Sequence, residues 1–289
     1  MNIILLTTIV VLVLTQTIIQ KNYLDKYGVG VYSLPAMTAL FAAIVFFITA
    51  KGNLNFSSGF FPYAVAFAVC YCLSAAFTLS AFQTGPISVA SLVLSYSTMI
   101  PGIYSIIAYS EPINTELVIG VILMMLSLLF ANIEKKGVKK KITGKWLVYI
   151  TIATISNGGC SLVQKIQQMN VGEGYDCKNE FMIAALIMIV AVMLVCAAFS
   201  ERKELGKNIK KKVLCGFLCG TANGFTNYLV IVLSNPKMNM PASVMFPVIS
   251  AGGIVLTAIA SVLFYKERLS KTQTVGFILG TISVIVLNM

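Results

Sequence analysis

Asn223 and Asn227 stand four residues apart in the apolar stretch Val213 to Ser234, while Asn157, Ser161 and Gln164 follow one another at helical spacing in and just past Trp146 to Val163. Residues three or four apart share a helix face, so each set draws a polar stripe along an oily segment. Similar neutral groups are Gln16 and Gln20, Tyr71 and Ser74, Ser95 and Tyr96, Tyr228 and Ser250. Such amides and hydroxyls hydrogen-bond a small polar molecule, or bond one helix to another at about 1 kcal/mol per contact in a membrane. Catalysis would need more. The chain has no histidine, and its acids, among them Glu111, Glu180, Glu201 and Glu267, fall at the ends of apolar stretches or between them. With no nucleophile beside a base and no metal-ligand set, an enzyme, a metal site and a bound cofactor are all unexpected. Of seven cysteines only Cys177 lies between apolar stretches, which implies packing rather than a disulfide framework.

Charged candidates are few. Lys21 and Lys165 each follow a glutamine at the end of an apolar stretch. They either snorkel to headgroups or stand near the mouths of a cavity, where they would draw anionic groups inward. Glu111 and Glu267 each follow a stretch and precede the next by a few residues, a place where a carboxylate caps free backbone N–H groups and complements the helix dipole.

The elements that position these residues are ten apolar stretches: Asn2 to Ile19, Val29 to Ala50, Gly59 to Phe82, Pro86 to Tyr109, Leu117 to Ile133, Trp146 to Val163, Phe181 to Ser200, Val213 to Ser234, Pro241 to Tyr265 and Thr274 to Met289. About 20 apolar residues carry a helix across a bilayer, and backbone satisfaction in lipid demands helices rather than open sheet. With 58% hydrophobic and 11% charged residues, against about 25% charged in soluble proteins, the expected fold is an all-α membrane protein in the cell membrane. The first stretch has no basic residue before it and no small-residue cleavage site after it, so it reads as a retained helix. The net charge of +11 comes from loops rather than a nucleic-acid face. Loops on one side carry 17 of the 21 basic residues, which places that side in the cytoplasm and both termini outside.

The two halves, residues 1–143 and 144–289, are related. Tyr109, Glu111, Gly120 and Asn132 recur as Tyr265, Glu267, Gly276 and Asn288, each 156 residues on. Gln20-Lys21 recurs as Gln164-Lys165, and Pro86-Ile87-Ser88-Val89 as Pro241-Ala242-Ser243-Val244. Five crossings turn the second unit upside down, giving inverted repeats with a substrate site near the midplane. Gly216, Gly220 and Gly224, and Gly276 with Gly280, offer surfaces for close helix packing, with dimerisation as a lesser alternative to a monomer. Pro101, Pro247 and Asn157-Gly158-Gly159 are candidate kinks or flexing points.

The run Tyr265-Lys266-Glu267-Arg268-Leu269-Ser270 through Gln273, Gly276 and Gly280 resembles the closing signature of the EamA-type transporters of the drug/metabolite transporter superfamily. Its first-half copy from Glu111-Pro112 to Gly120, and Ala81 through Gly85-Pro86-Ile87-Ser88 to Pro101, resemble that family as well. The resemblance implies ten helices around a central cavity lined by the first four and the sixth to ninth, with the fifth and tenth peripheral. It also implies secondary transport of a small metabolite by alternating access. Because no span carries an acid at mid-depth, the expected substrate is neutral, zwitterionic or anionic. An amino-acid-like export substrate is favoured. A drug or organic-cation exporter and a non-transporting scaffold are the alternatives.

Overall fold

A computed structural model of the chain describes residues 2–27, 32–55, 58–84, 93–94, 96–131, 143–170, 177–202, 208–265 and 270–287. Ser95 and Glu267 lie outside the described residues, as do the side chains of Gln20 and Lys21. The described chain is all-helical, with ten main helices. They are α1 (Asn2–Tyr27), α2 (Ser33–Thr49), α3 (Phe61–Thr84), α4 (Met99–Tyr109), α5 (Thr115–Ala131), α6 (Gly144–Asn170), α7 (Lys178–Ser200), α8 (Ile209–Ser234), α9 (Ala242–Tyr265) and α10 (Lys271–Leu287). Windows long and apolar enough to cross a membrane lie in α3, α6, α7 and α8. At 17 residues, α2, α5 and α10 are roughly 25 Å long and at the short end of the spanning range.

The helices form two compact units, each drawing on both halves of the chain. One comprises residues 1–11, 76–162 and 239–289, the other residues 12–75 and 163–238.

In the first unit α5 and α10 run antiparallel. Ser127 Oγ donates to the Gly276 carbonyl at 2.7 Å, and Ser283 Oγ donates to the Gly120 carbonyl at 2.8 Å. Close approach is what lets a hydroxyl reach the backbone of a neighbouring helix, and glycine permits it: a Cβ on Gly120 would sit 2.5 Å from Leu287 Cγ. Met124, Leu128 and Ala251 form a buried cluster nearby. Helix α4 is preceded by a 3₁₀ turn, Tyr96–Thr98, and Pro101 is its third residue. Residues 93 and 94 are helical as well, so Pro101 sits just past a 3₁₀ segment of the fourth apolar stretch, where its missing N–H leaves a gap in the backbone hydrogen bonds. Pro247 lies inside α9. Helix α6 continues through Gly158, where a Cβ would be 2.6 Å from the Ser97 carbonyl oxygen. That glycine serves close packing and does not break the helix.

In the second unit α2 packs along α7 and α8. Ideal Cβ atoms on Gly216, Gly220 and Gly224 would fall 2.5, 2.5 and 2.8 Å from the Cβ atoms of Met37, Phe41 and Val45. The matched steps of four show that α2 and α8 run parallel. Helices α2 and α7 run antiparallel, tied at both ends. Glu201, after α7, accepts from the Tyr32 and Ser33 N–H groups at 2.6 and 3.2 Å, and Glu180, in the first turn of α7, accepts from the Asn55 N–H at 2.7 Å. Glu201 thus meets the free N–H groups at the start of α2, while Glu180 holds the loop that follows α2.

Candidate functional site

The second unit gathers four of the expected polar residues from three helices into one chain of hydrogen bonds. Gln164 Nε2 on α6 donates to Asn227 Oδ1 at 2.7 Å. Asn227 Nδ2 on α8 donates to the side-chain oxygen of Asn223 at 3.0 Å and to its backbone carbonyl at 2.9 Å. Asn223 Nδ2 then donates to Gln16 Oε1 on α1 at 3.3 Å. The i, i+4 spacing on α8 produces the middle link, since residue 227 lies one turn above the carbonyl of residue 223. Gln164 is buried at 3% exposure, while Gln16, Asn223 and Asn227 are half-buried. A buried end and partly open middle distinguish this chain from a fully enclosed packing contact.

Beside it, Tyr228 lies 6.0 Å from the Phe46 ring, centroid to centroid, with the Lys178 ammonium 5.7 Å from its own ring centre. Tyr71 stacks on Phe67 at 6.3 Å, and Phe67 meets Phe181 edge-on at 5.8 Å. Both tyrosines therefore belong to aromatic contacts of this same unit.

Other expected residues lie elsewhere. In the first unit, Asn157 Nδ2 donates to Ser97 Oγ at 2.7 Å, and the Tyr96 hydroxyl donates to the Met125 carbonyl at 3.3 Å. Ser161 and Ser250 are half-buried there. Lys165 does not run outward along the surface, because it is 4% exposed. Glu111 accepts from the Ala242 and Ser243 N–H groups, both at 3.0 Å. The helix it caps is thus α9, not α5, which follows it in sequence. A cavity of about 250 Å³ in this unit, between α1, α9 and α10, is apolar. Its two hydroxyls, Thr7 and Thr281, donate to carbonyls of their own helices, so neither offers a hydrogen-bond donor to a ligand.

Sequence reading missed the polar cluster at the end of α6. Gln168 Nε2 donates to Gln167 Oε1 at 2.6 Å, Gln167 Nε2 to Cys177 Sγ at 3.0 Å, and Asn235 Nδ2 to Gln168 Oε1 at 3.2 Å. Extending the stripe 157, 161, 164 by one further turn reaches Gln168, so the signal was present. Lys212, 1% exposed with no hydrogen-bond partner for its ammonium among the described residues, was hidden inside a run of three lysines.

Residues 144–289, half of the chain, match the EamA-like transporter family. The chain belongs to that family. It is therefore an integral membrane transporter of the drug/metabolite transporter superfamily, as the Glu-to-Gly blocks suggested. No curated protein matches the chain. A solved crystal structure that carries no functional description is similar over 99% of this chain and 95% of its own, with a TM-score of 0.80 and 14% identity. At that identity the likeness speaks to the EamA-like fold alone.

Proposed function

We propose that this protein is a secondary transporter that moves a small neutral, zwitterionic or anionic metabolite, amino-acid-like and in the export direction, by alternating access. The carrying observation is the Gln164–Asn227–Asn223–Gln16 chain, four neutral amides from α1, α6 and α8 held in one set of hydrogen bonds. Four amides set together in an otherwise apolar bundle, three of them only half-buried, offer a polar solute hydrogen-bonding groups. By contrast Glu111, Glu180 and Glu201 are all engaged by backbone N–H groups, at helix starts for Glu111 and Glu201 and in a loop for Glu180. A drug or organic-cation exporter would call for an acid in the binding site.

The repeat architecture belongs to the same proposal. Ser127 and Ser283 stand 156 residues apart, as do Gly120 and Gly276, and each serine bonds the other copy's glycine. A two-fold relation produces such an exchange, with i contacting j and j contacting i. It supports two inverted five-helix repeats, 1–143 and 144–289, related about an axis in the membrane plane. The basic loops and both termini are assigned as before, cytoplasmic and external. Glu111 and Glu267 are assigned to helix-end capping.

A thermal-shift screen of the detergent-purified protein against amino acids, nucleobases, amines and sugar phosphates tests the substrate class, because a ligand that prefers the folded state raises its apparent stability. Stabilisation by amino acids is expected. Stabilisation by lipophilic amines alone would overturn the assignment.

A further inference from the structure

The direction of every bond in the amide chain is set by one atom. The Asn223 backbone carbonyl only accepts, so the Asn227 group 2.9 Å from it must be the Nδ2 donor. That turns Asn227 Oδ1 toward Gln164, which must then donate through Nε2. The same Nδ2 also meets Asn223 Oδ1, which leaves Asn223 Nδ2 to donate to Gln16 Oε1. An amide whose oxygen is engaged presents its nitrogen to whatever remains. No described residue accepts from Gln16 Nε2, and Gln16 is half-buried, whereas the opposite end at Gln164 is packed at 3% exposure. The chain is thus pinned at its enclosed end and open at α1, and the open end is an N–H donor.

We propose that this polarity selects substrates carrying a carboxylate or other strong acceptor oxygen, received by Gln16 Nε2, and disfavours amines that lack one. The inference rests on the reading of this cluster as the substrate site and narrows it from neutral, zwitterionic or anionic solutes to those bearing an acceptor oxygen. Four amide dipoles aligned head to tail add to the effect, since hydrogen-bonded chains polarise one another in a low dielectric. Asn227 acts as a positioning residue. It need not touch the substrate, because it fixes which face of Gln16 is offered.

The test uses the full detergent-purified chain, with apparent Kd from thermal-shift titration of each of the twenty amino acids and its decarboxylated amine. In the unsubstituted protein the carboxylate-bearing member of a binding pair should be favoured about tenfold or more, the size of one hydrogen bond to a charged group. Gln16→Glu, titrated at pH 8.5, still accepts from Asn223 but offers no N–H, so the preference should reverse toward the amine. Asn227→Leu removes the pin, lets the Gln16–Asn223 pair turn over, and should shrink the preference without reversing it. Amines binding as well as their parent acids, or a preference unchanged in Gln16→Glu, would overturn the polarity alone. A panel without any binder would overturn the substrate reading beneath it.

Discussion

Alanine at Gly220 places a methyl group into the tightest part of the α2–α8 contact. The new Cβ would lie 2.5 Å from Phe41 Cβ, 2.6 Å from the Thr38 carbonyl oxygen and 3.2 Å from the Ala42 nitrogen. Ordinary contact begins near 3.4 Å, and two of these three neighbours are backbone atoms, so α2 itself must retreat by the 0.8 Å that separates 2.6 from 3.4. Overpacking of that kind costs about 1–3 kcal/mol. Alanine regains about 0.8–1.0 kcal/mol of helix propensity over glycine, leaving a net loss of up to about 2 kcal/mol, and a deficit of about 1–3 kcal/mol relative to a glycine-to-alanine change that meets no neighbour. Gly253 in α9 is the control, because its added Cβ meets nothing within 4 Å and only the propensity gain remains. A thermal melt followed with a thiol-reactive dye suits the question, since Cys215 and Cys219 are buried on α8 itself. Gly220→Ala should expose them several degrees earlier than the unsubstituted protein, and Gly253→Ala no earlier. Equal melting of the two variants would refute the parallel glycine packing.

Ser127→Ala and Ser283→Ala should lower stability by similar amounts, about 0.6–1 kcal/mol each, and unequal losses in a denaturation series would argue against their equivalence. Glu201→Ala and Glu111→Ala should each cost about 0.5–2 kcal/mol by leaving two N–H groups without an acceptor, measured by the same melts. Lys212→Met should raise the melting temperature, because it replaces an unpaired buried ammonium near the positive end of α8 with an apolar chain of similar length. A lower melting temperature for that variant would show that the ammonium has a stabilising partner.

The number and order of the helices were legible because apolar runs of spanning length dominate the chain, and the glycines at 216, 220 and 224 announced a close-packed face. What the sequence lacked was the identity of the partner across each face. Nothing in Glu111-Pro112 says that the carboxylate reaches Ala242 and Ser243, 131 and 132 residues away. Likewise the stripes at 157, 161, 164 and at 223, 227 lie on α6 and α8, but only the fold separates Asn157, bonded to Ser97, from Gln164, bonded to Asn227. Sequence periodicity records which side chains share a helix face. It does not record which face of another helix they meet, and the polar cluster at Gln167 and Gln168 was overlooked because the run of apolar residues had already ended.

Counterflow of radiolabelled amino acids in proteoliposomes tests the central claim most directly. The expected result is saturable accumulation of at least one amino acid by the unsubstituted protein, clearly reduced in Asn227→Leu while that variant still melts cooperatively. Failure to accumulate any amino acid, or undiminished accumulation by Asn227→Leu, would contradict the assignment of the amide chain as the substrate site.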